Sequence, residues 1–334
     1  MIRMALGIDI GGTRTKMGLV NLGTGSVTVQ KIFNTHKESE EAFLQSLKLA
    51  YEELTGVSRQ LFGAGVSIGS YVFEDGRIDG MSSFVPFMTE NYPLVKRIEE
   101  ALGLPVRADN DARLIGLAES RYGAGRGYAR SMTITLGTGI GIGLCVDGRP
   151  LGGEAFFHLA GHIKVRSGGE YPCLDDPPCY CGLSGCFEST CSGAALEKYV
   201  HNHWQREADN RSFFAAAVRG GVGSHTCFEA ALRDECGNPL TLSIAEQDNA
   251  KVSSILEWYL RFLTEALNQY IYLYCPDVIV LGGGVAKGLA PWEEEINRRV
   301  TARVHNAQHP IIKISTLMEE GGIRGAASLF DSSC

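Results

Sequence analysis

Alternating apolar and polar positions, broken by glycines, divide the chain into strands and helices from its start. The run ALGIDI (5–10) reads as a strand ending at Gly11-Gly12-Thr13, and KMGLV (16–20) as the returning arm of a hairpin. Far downstream SMTITL (131–136) ends in a Gly-Thr-Gly turn and is followed by IGIGLCV (140–146), so the same plan occurs twice, as in two halves of similar build. Between them, SEEAFLQSLKLAYEELTG (39–56) carries Phe43, Leu44, Leu47, Leu49 and Leu54 at mixed helical spacing, with Gly56 as a stop. FGAGVSIGS (62–70) predicts a strand, YPLVKRIEEALG (92–103) a helix and PVRADND (105–111) a short strand. This alternation of strand and helix predicts a largely parallel sheet. Beyond residue 190, SGAALEKYVHNHW (192–204) and VSSILEWYLRFLTEALNQYIYLY (252–274) predict helices. PDVIVLGGGVAKG (276–288) predicts a strand and glycine turn, IKISTL (312–317) a strand, and RGAASLF (324–330) a closing helix.

A chain of 334 residues with 44% hydrophobic content exceeds the usual single-domain range, so two domains are expected. The net charge is −7 and no Lys/Arg cluster suits a nucleic-acid backbone, which argues against a nucleic-acid partner. No stretch approaches the roughly 20 apolar residues that span a bilayer, so no membrane partner is expected. MIRMALGIDIGG lacks the apolar core of a signal peptide, and a cytoplasmic protein is expected.

In that compartment ten cysteines argue against a disulfide framework, and most are expected to be buried thiols or metal ligands. Cys145, Cys227, Cys236, Cys275 and Cys334 stand alone and read as packing or surface residues. CYCGLSGC (179–186) differs, because Cys179, Cys181 and Cys186 can converge on one tetrahedral ion if Gly182 and Gly185 let the loop turn sharply. A fourth ligand is then required. Cys173, before a turn, and Cys191, at the start of a helix pattern, flank the cluster and are placed outside it.

Three glycine turns, DIGGT (9–13), LGTGIG (136–141) and LGGGV (281–285), each follow a strand, where glycine lets backbone N–H groups converge on an anion. None fits a P-loop or a clean dinucleotide fingerprint. Asp9, just before the first turn, is placed to hold the hydration shell of a Mg²⁺ ion beside bound phosphates.

DIGGT at 9–13, NDA at 110–112, LGTGIGIG at 136–143, GH at 161–162, CYCGLSGCFE at 179–188 and PDVIVLGGGV at 276–285, in this order, resemble the ROK family of sugar kinases and sugar-responsive repressors. The resemblance covers nearly the whole chain. It implies an α/β, two-domain actin-like ATPase (ribonuclease H-like) fold with a cleft between domains. The smaller domain is expected over 1–115, the larger, with a zinc loop, over 116–319, and a closing helix at about 320–334 packs back on the first. It also implies transfer of the γ-phosphoryl group of ATP to the 6-hydroxyl of a hexose or hexose derivative, with Mg²⁺ and a structural Zn²⁺, by a homodimer. The residues so implied are Asp111 as catalytic base; Asn110, Asp111, His162 and Glu188 at the sugar; and His162, Cys179, Cys181 and Cys186 at the metal. Asp9, Gly11, Gly12, Thr13, Gly137, Thr138, Gly139, Gly282, Gly283 and Gly284 are implied at the nucleotide. Asp109, one residue before the Asn-Asp pair, should point away from it by strand alternation.

Two positions depart from the family pattern: Leu159 stands where it has a Glu before Gly-His, and Phe84 where it has an Asn. Both replace hydrogen-bonding groups with apolar ones, so the sugar preference should shift away from plain glucose. His158, Glu154 and Ser83 are candidates for replacement contacts, and the cysteine stretch is similar to that of allose-phosphorylating members. The alternative is a non-catalytic, sugar-binding sensor; with the first phosphate strand so near Met1, no DNA-binding domain is expected ahead of it.

Overall fold

The computed structural model describes residues 3–56, 61–80, 84–151, 155–165, 177–204, 213–215, 217, 246–305 and 309–331. Cys173, Cys227, Cys236, Cys334, Ser83 and Glu154 lie outside them.

The first sheet holds β1 (Met4–Ile10), β2 (Arg14–Asn21), β3 (Val27–Asn34), β4 (Ala64–Ile68) and β5 (Val106–Asn110) in the order β3-β2-β1-β4-β5. β1, β2 and β3 form an antiparallel meander, whereas β4 runs parallel to β1 and β5 parallel to β4. The sheet is therefore mixed rather than largely parallel. The difference is β3, whose half-polar VTVQKIFN lies at the sheet edge and carries little apolar periodicity.

Helix α1 (Glu40–Thr55) starts where Ser39 Oγ accepts the Ala42 N–H and ends at Gly56, which takes the positive φ of 55° that a side chain resists. It buries Phe43, Leu47, Ala50 and Leu54, while Leu49 stays 49% exposed. With α2 (Leu94–Leu102) it covers one face of the sheet in a core that includes Leu6, Ile8, Val66 and Ile98. Helix α3 (Asp111–Tyr122) follows β5 directly.

The second sheet, in the order β10-β9-β6-β7-β8, holds β6 (Arg130–Leu136), β7 (Ile140–Val146), β8 (Arg149–Pro150), β9 (Val278–Gly282) and β10 (Ile311–Ile314). Around its sequence lie a 3-10 helix (Ala155–His162), α4 (Phe187–Cys191), α5 (Gly193–Trp204), α6 (Glu246–Tyr274), α7 (Gly283–Leu289) and α8 (Glu293–Thr301). α6 buries Val252, Leu256, Tyr259, Leu263, Leu267 and Tyr270, a helical stripe.

The closing helix α9 (Gly321–Ser328) packs on the other face of the first sheet, with Ile323 and Ala327 against Ala5, Val20 and Leu22. The approach is close enough to need glycine. A methyl group at Gly7 would stand 2.0 Å from the Ile323 carbonyl oxygen, and one at Gly65 only 1.7 Å from that of Ala326. No helix among the described residues is long and apolar enough to cross a membrane.

The chain forms two compact units, one of 1–133, 142–158 and 316–334, the other of 134–141 and 159–315.

Candidate active site and metal centre

In the first unit, the turn after β1 is closed by the Gly11 N–H donating to the Arg14 carbonyl at 3.0 Å and by the Thr35 hydroxyl donating to the Gly11 carbonyl at 2.7 Å. Thr13 is exposed at its tip. A methyl group at Gly12 would lie 2.8 Å from Phe84 Cβ, so this aromatic side chain rests on the turn while remaining 67% exposed. Asp9 accepts the Ser67 hydroxyl at 2.8 Å, and α9 begins against it: a methyl at Gly322 would meet the Asp9 carboxyl carbon at 2.5 Å. Burial raises the Asp9 pKa, and the nearby Asp111 charge adds to the rise against the Ser67 hydrogen bond and Lys16. Lys16, opposite Asp9 across the β1–β2 ladder, donates to the Glu319 carbonyl at 3.3 Å.

Asn110 ends β5 and caps α3. Its Oδ1 accepts the N–H groups of Ala112 and Arg113, and its Nδ2 donates to the Ser70 carbonyl at 3.3 Å. Both lone pairs are thereby used, which leaves a single amide N–H for another acceptor. Asp111 is thus the first helical residue, not the last of the strand, and the capping that an Asp at this position invites is done by its neighbour. Desolvation raises the Asp111 pKa against the Ala112 N–H it accepts at 2.7 Å. Asp109 is occupied elsewhere, with both oxygens 3.0 Å from Arg113 Nε.

In the second unit the Gly137 N–H donates to the Gly139 carbonyl at 3.0 Å, leaving Thr138 and Gly139 exposed. Gly283 takes a φ of 87° and abuts β6 so closely that a methyl would stand 2.5 Å from the Leu136 carbonyl oxygen. The structure thereby brings the 137–139 and 282–284 turns side by side. The third glycine segment is less a turn than a helix start, since Gly282 precedes α7 with no side chain capping its first N–H groups. Glu188, in the first turn of α4, accepts the Ile140 N–H at 2.9 Å; a methyl at Gly139 would press on that carboxylate at 3.0 Å.

The cysteine loop turns at Gly182 and Gly185, with φ of 87° and 68°. The Cys179 N–H bonds the Leu183 carbonyl at 2.8 Å, and Lys164 bridges to Cys186, which brings the loop to the end of the 3-10 helix that carries His162. The ligand atoms of His162, Cys179, Cys181 and Cys186 all lie within 4.8 Å of one another. Cys179 Sγ is 3.4 Å from His162 Nδ1, and Cys181 Sγ is 3.6 Å from Cys186 Sγ. A tetrahedral zinc ion with its usual bond lengths separates such ligands by about 3.5–3.8 Å. These four residues can therefore hold a metal ion such as zinc, in a set that leaves no protein-side position open. Cys191 is a buried thiol outside the cluster, in the α4 turn whose carbonyl receives the Tyr259 hydroxyl.

One participant escaped the sequence reading. Tyr180, between two of the cysteines, places its hydroxyl 3.0 Å from His162 Nε2, and its ring stands edge-on to the imidazole at 4.9 Å and 89°. The Glu188 carboxylate interacts with the same hydroxyl, and desolvation with the Glu188 charge pushes its pKa up to about 12. The signal was its position: a side chain between two ligand cysteines is held near whatever the third and fourth ligands face. Leu159 is half-buried in the 3-10 helix, three residues before His162.

The family model of the ROK family matches residues 5–333. Among curated proteins, N-acetyl-D-glucosamine kinase of Shigella flexneri is 27% identical over 338 residues, covering 98% of this chain and 99% of that one. The ROK hexokinase of Thermus thermophilus superposes with a TM-score of 0.75 at 28% identity over 97% of both chains, and carries the same actin-like two-domain fold. A ROK family glucokinase of Streptomyces griseus, solved in complex with glucose and AMPPNP, gives 0.68 at 26% identity over 98% of both.

Proposed function

We propose that this chain, which belongs to the ROK family, is an ATP-dependent sugar kinase that transfers the γ-phosphoryl group to the 6-hydroxyl of a hexose or hexose derivative. The observation that carries the reading is Asp111: a desolvated carboxylate at a helix start, with a raised pKa and no cation bonded to it by any pair described above, beside a neighbour that has already taken the capping role. Such a group serves as a proton acceptor for an alcohol, which ordinary surface aspartate does poorly. The relatives named above include an N-acetylhexosamine kinase and a glucokinase seen with glucose and a nucleotide analogue, in keeping with this chemistry.

In this reading Asp111 accepts the proton of the attacking hydroxyl, and the remaining Asn110 N–H donates to the sugar. Glu188 and His162 line the sugar site. The backbone N–H groups of Gly11–Thr13, Gly137–Gly139 and Gly282–Gly284 hold the phosphates, and Lys16 balances part of the acidic charge at Asp9. Two carboxylates, Asp9 and Asp111, within electrostatic range of each other fit a site completed by a hydrated divalent cation, which Asp9 would hold. Magnesium, when bound with ATP, neutralises charge on the phosphate oxygens. Zinc at His162, Cys179, Cys181 and Cys186 would be structural, fixing the loop that carries Tyr180 and leads into Glu188. Leu159 and Phe84 withdraw two polar contacts, so the preferred sugar is a hexose derivative other than plain glucose. The active form is a homodimer.

The test is ADP release, coupled to a reporter, over a panel of hexoses and N-acetylhexosamines. Stimulation by at least one sugar supports the kinase; binding of several with stimulation by none identifies a sugar sensor instead.

A further inference from the structure

We infer that the Tyr180 hydroxyl occupies the place of a substrate hydroxyl between His162 and Glu188, making Tyr180 the residue that sets which hydroxyl of the sugar goes unread. This rests on the sugar-kinase reading, which assigns His162 and Glu188 to the substrate.

The argument is one of donors and acceptors. Nδ1 of His162 is turned to the cysteine sulfurs; with a metal bound there, Nε2 would carry the proton and donate to Tyr180 Oη, 3.0 Å away. The phenol O–H is then free to donate to Glu188. A sugar hydroxyl placed between the same imidazole and carboxylate would accept and donate in the same order. The phenol is thus a chemical equivalent of the group these side chains would read, and it satisfies both of them from within the chain.

Tyr180 is also held there. Its backbone lies between two residues of the cysteine cluster, its turn is closed by the Gly182 N–H on the Cys179 carbonyl at 3.0 Å, and its ring packs edge-on to His162. A sugar hydroxyl would have to displace the phenol from the imidazole it bonds and the carboxylate it interacts with, and break that ring contact, to take up the same two partners. It gains nothing, so the enzyme accepts sugars whether or not they carry it. The neighbouring Leu159, apolar where a carboxylate is usual in the family, adds no reader to replace it.

The experiment compares the wild-type protein with Tyr180→Phe, each against a parent sugar and its complete set of monodeoxy analogues. Both kcat/KM and calorimetric Kd are measured, with zinc content per chain. Tyr180 is 77% exposed, and the substitution removes only the oxygen. Expected is one analogue that wild type handles within about threefold of the parent. The variant should discriminate against that analogue by about tenfold or more, the usual weight of a hydrogen bond to a charged partner, with zinc retained. The inference is overturned if wild type discriminates strongly at every position, if the variant leaves all ratios unchanged, or if zinc is lost, which would make Tyr180 a support for the metal. The two readings separate cleanly. Turnover with unchanged ratios sinks the Tyr180 assignment alone; binding ratios that shift without turnover sink the kinase alone; absence of sugar binding sinks both.

Discussion

Asp109, Asn110 and Asp111 stand in sequence, and their surroundings give them three different tasks. Arg113 neutralises the first, the start of α3 claims the second, and burial raises the proton affinity of the third. Strand alternation separates Asp109 only from Asn110, because residues two apart share a face; Asp111 is set apart from Asp109 by the start of α3, which takes it out of the strand. Sequence spacing could not assign the cap, because Asn and Asp are both favoured there and only backbone geometry selects between them. The raised pKa has a kinetic sign. A base must be deprotonated, so kcat/KM should be high at neutral pH and fall as pH drops through a pKa above the free-aspartate value of about 3.9. A pH–rate profile whose acid limb lies at or below that value would show the carboxylate to be unperturbed. Tyr180 was hidden at this scale for a related reason: a lone tyrosine between two cysteines carries no spacing signal, and only the folded loop brings its hydroxyl to His162.

At the scale of elements, two features hold the site in place. The cysteine loop has few apolar anchors, since Tyr180 and Leu183 are exposed, so an ion held by its four ligands would be its main constraint. Chelation should release one zinc per chain, measured by atomic emission, and render the loop at 177–186 sensitive to limited proteolysis; a loop equally resistant after metal removal would contradict this. Helix α9 makes the second feature, because it reaches Asp9 only by lying against bare backbone. Gly65→Ala forces a methyl into the Ala326 carbonyl and should lower unfolding free energy by about 1–3 kcal/mol or more in denaturant titration. The closing helix was readable from RGAASLF, yet the reason for Gly7 and Gly65 was not, since a strand glycine in isolation signals only a close approach of something. β3 was missed because an edge strand with exposed Val29 and Ile32 interleaved with polar residues gives no buried face to read. The last glycine run read as a turn because three glycines suppress helical propensity, while the helix there begins within them.

For the whole molecule, the order of motifs carried more than any one of them. Each glycine turn is compatible with a plain hairpin, but three after strands, with a paired Asn-Asp and a cysteine loop, fit a ROK chain from residue 5 to 333. The first compact unit gathers three separate stretches, 1–133, 142–158 and 316–334, a pattern that local periodicity does not encode because it depends on which distant segments share a core. Phe84 on Gly12 and Tyr180 beside His162 are likewise contacts within each unit that no local pattern announces. The account stands on proton transfer to Asp111, and the most direct measurement of it pairs turnover with binding in Asp111→Asn. With the sugar that best stimulates ADP release, kcat should fall by about 10²- to 10⁴-fold, while calorimetric sugar affinity stays within about tenfold. Retained turnover, or loss of sugar binding in step with activity from a folded, zinc-loaded variant, would contradict it.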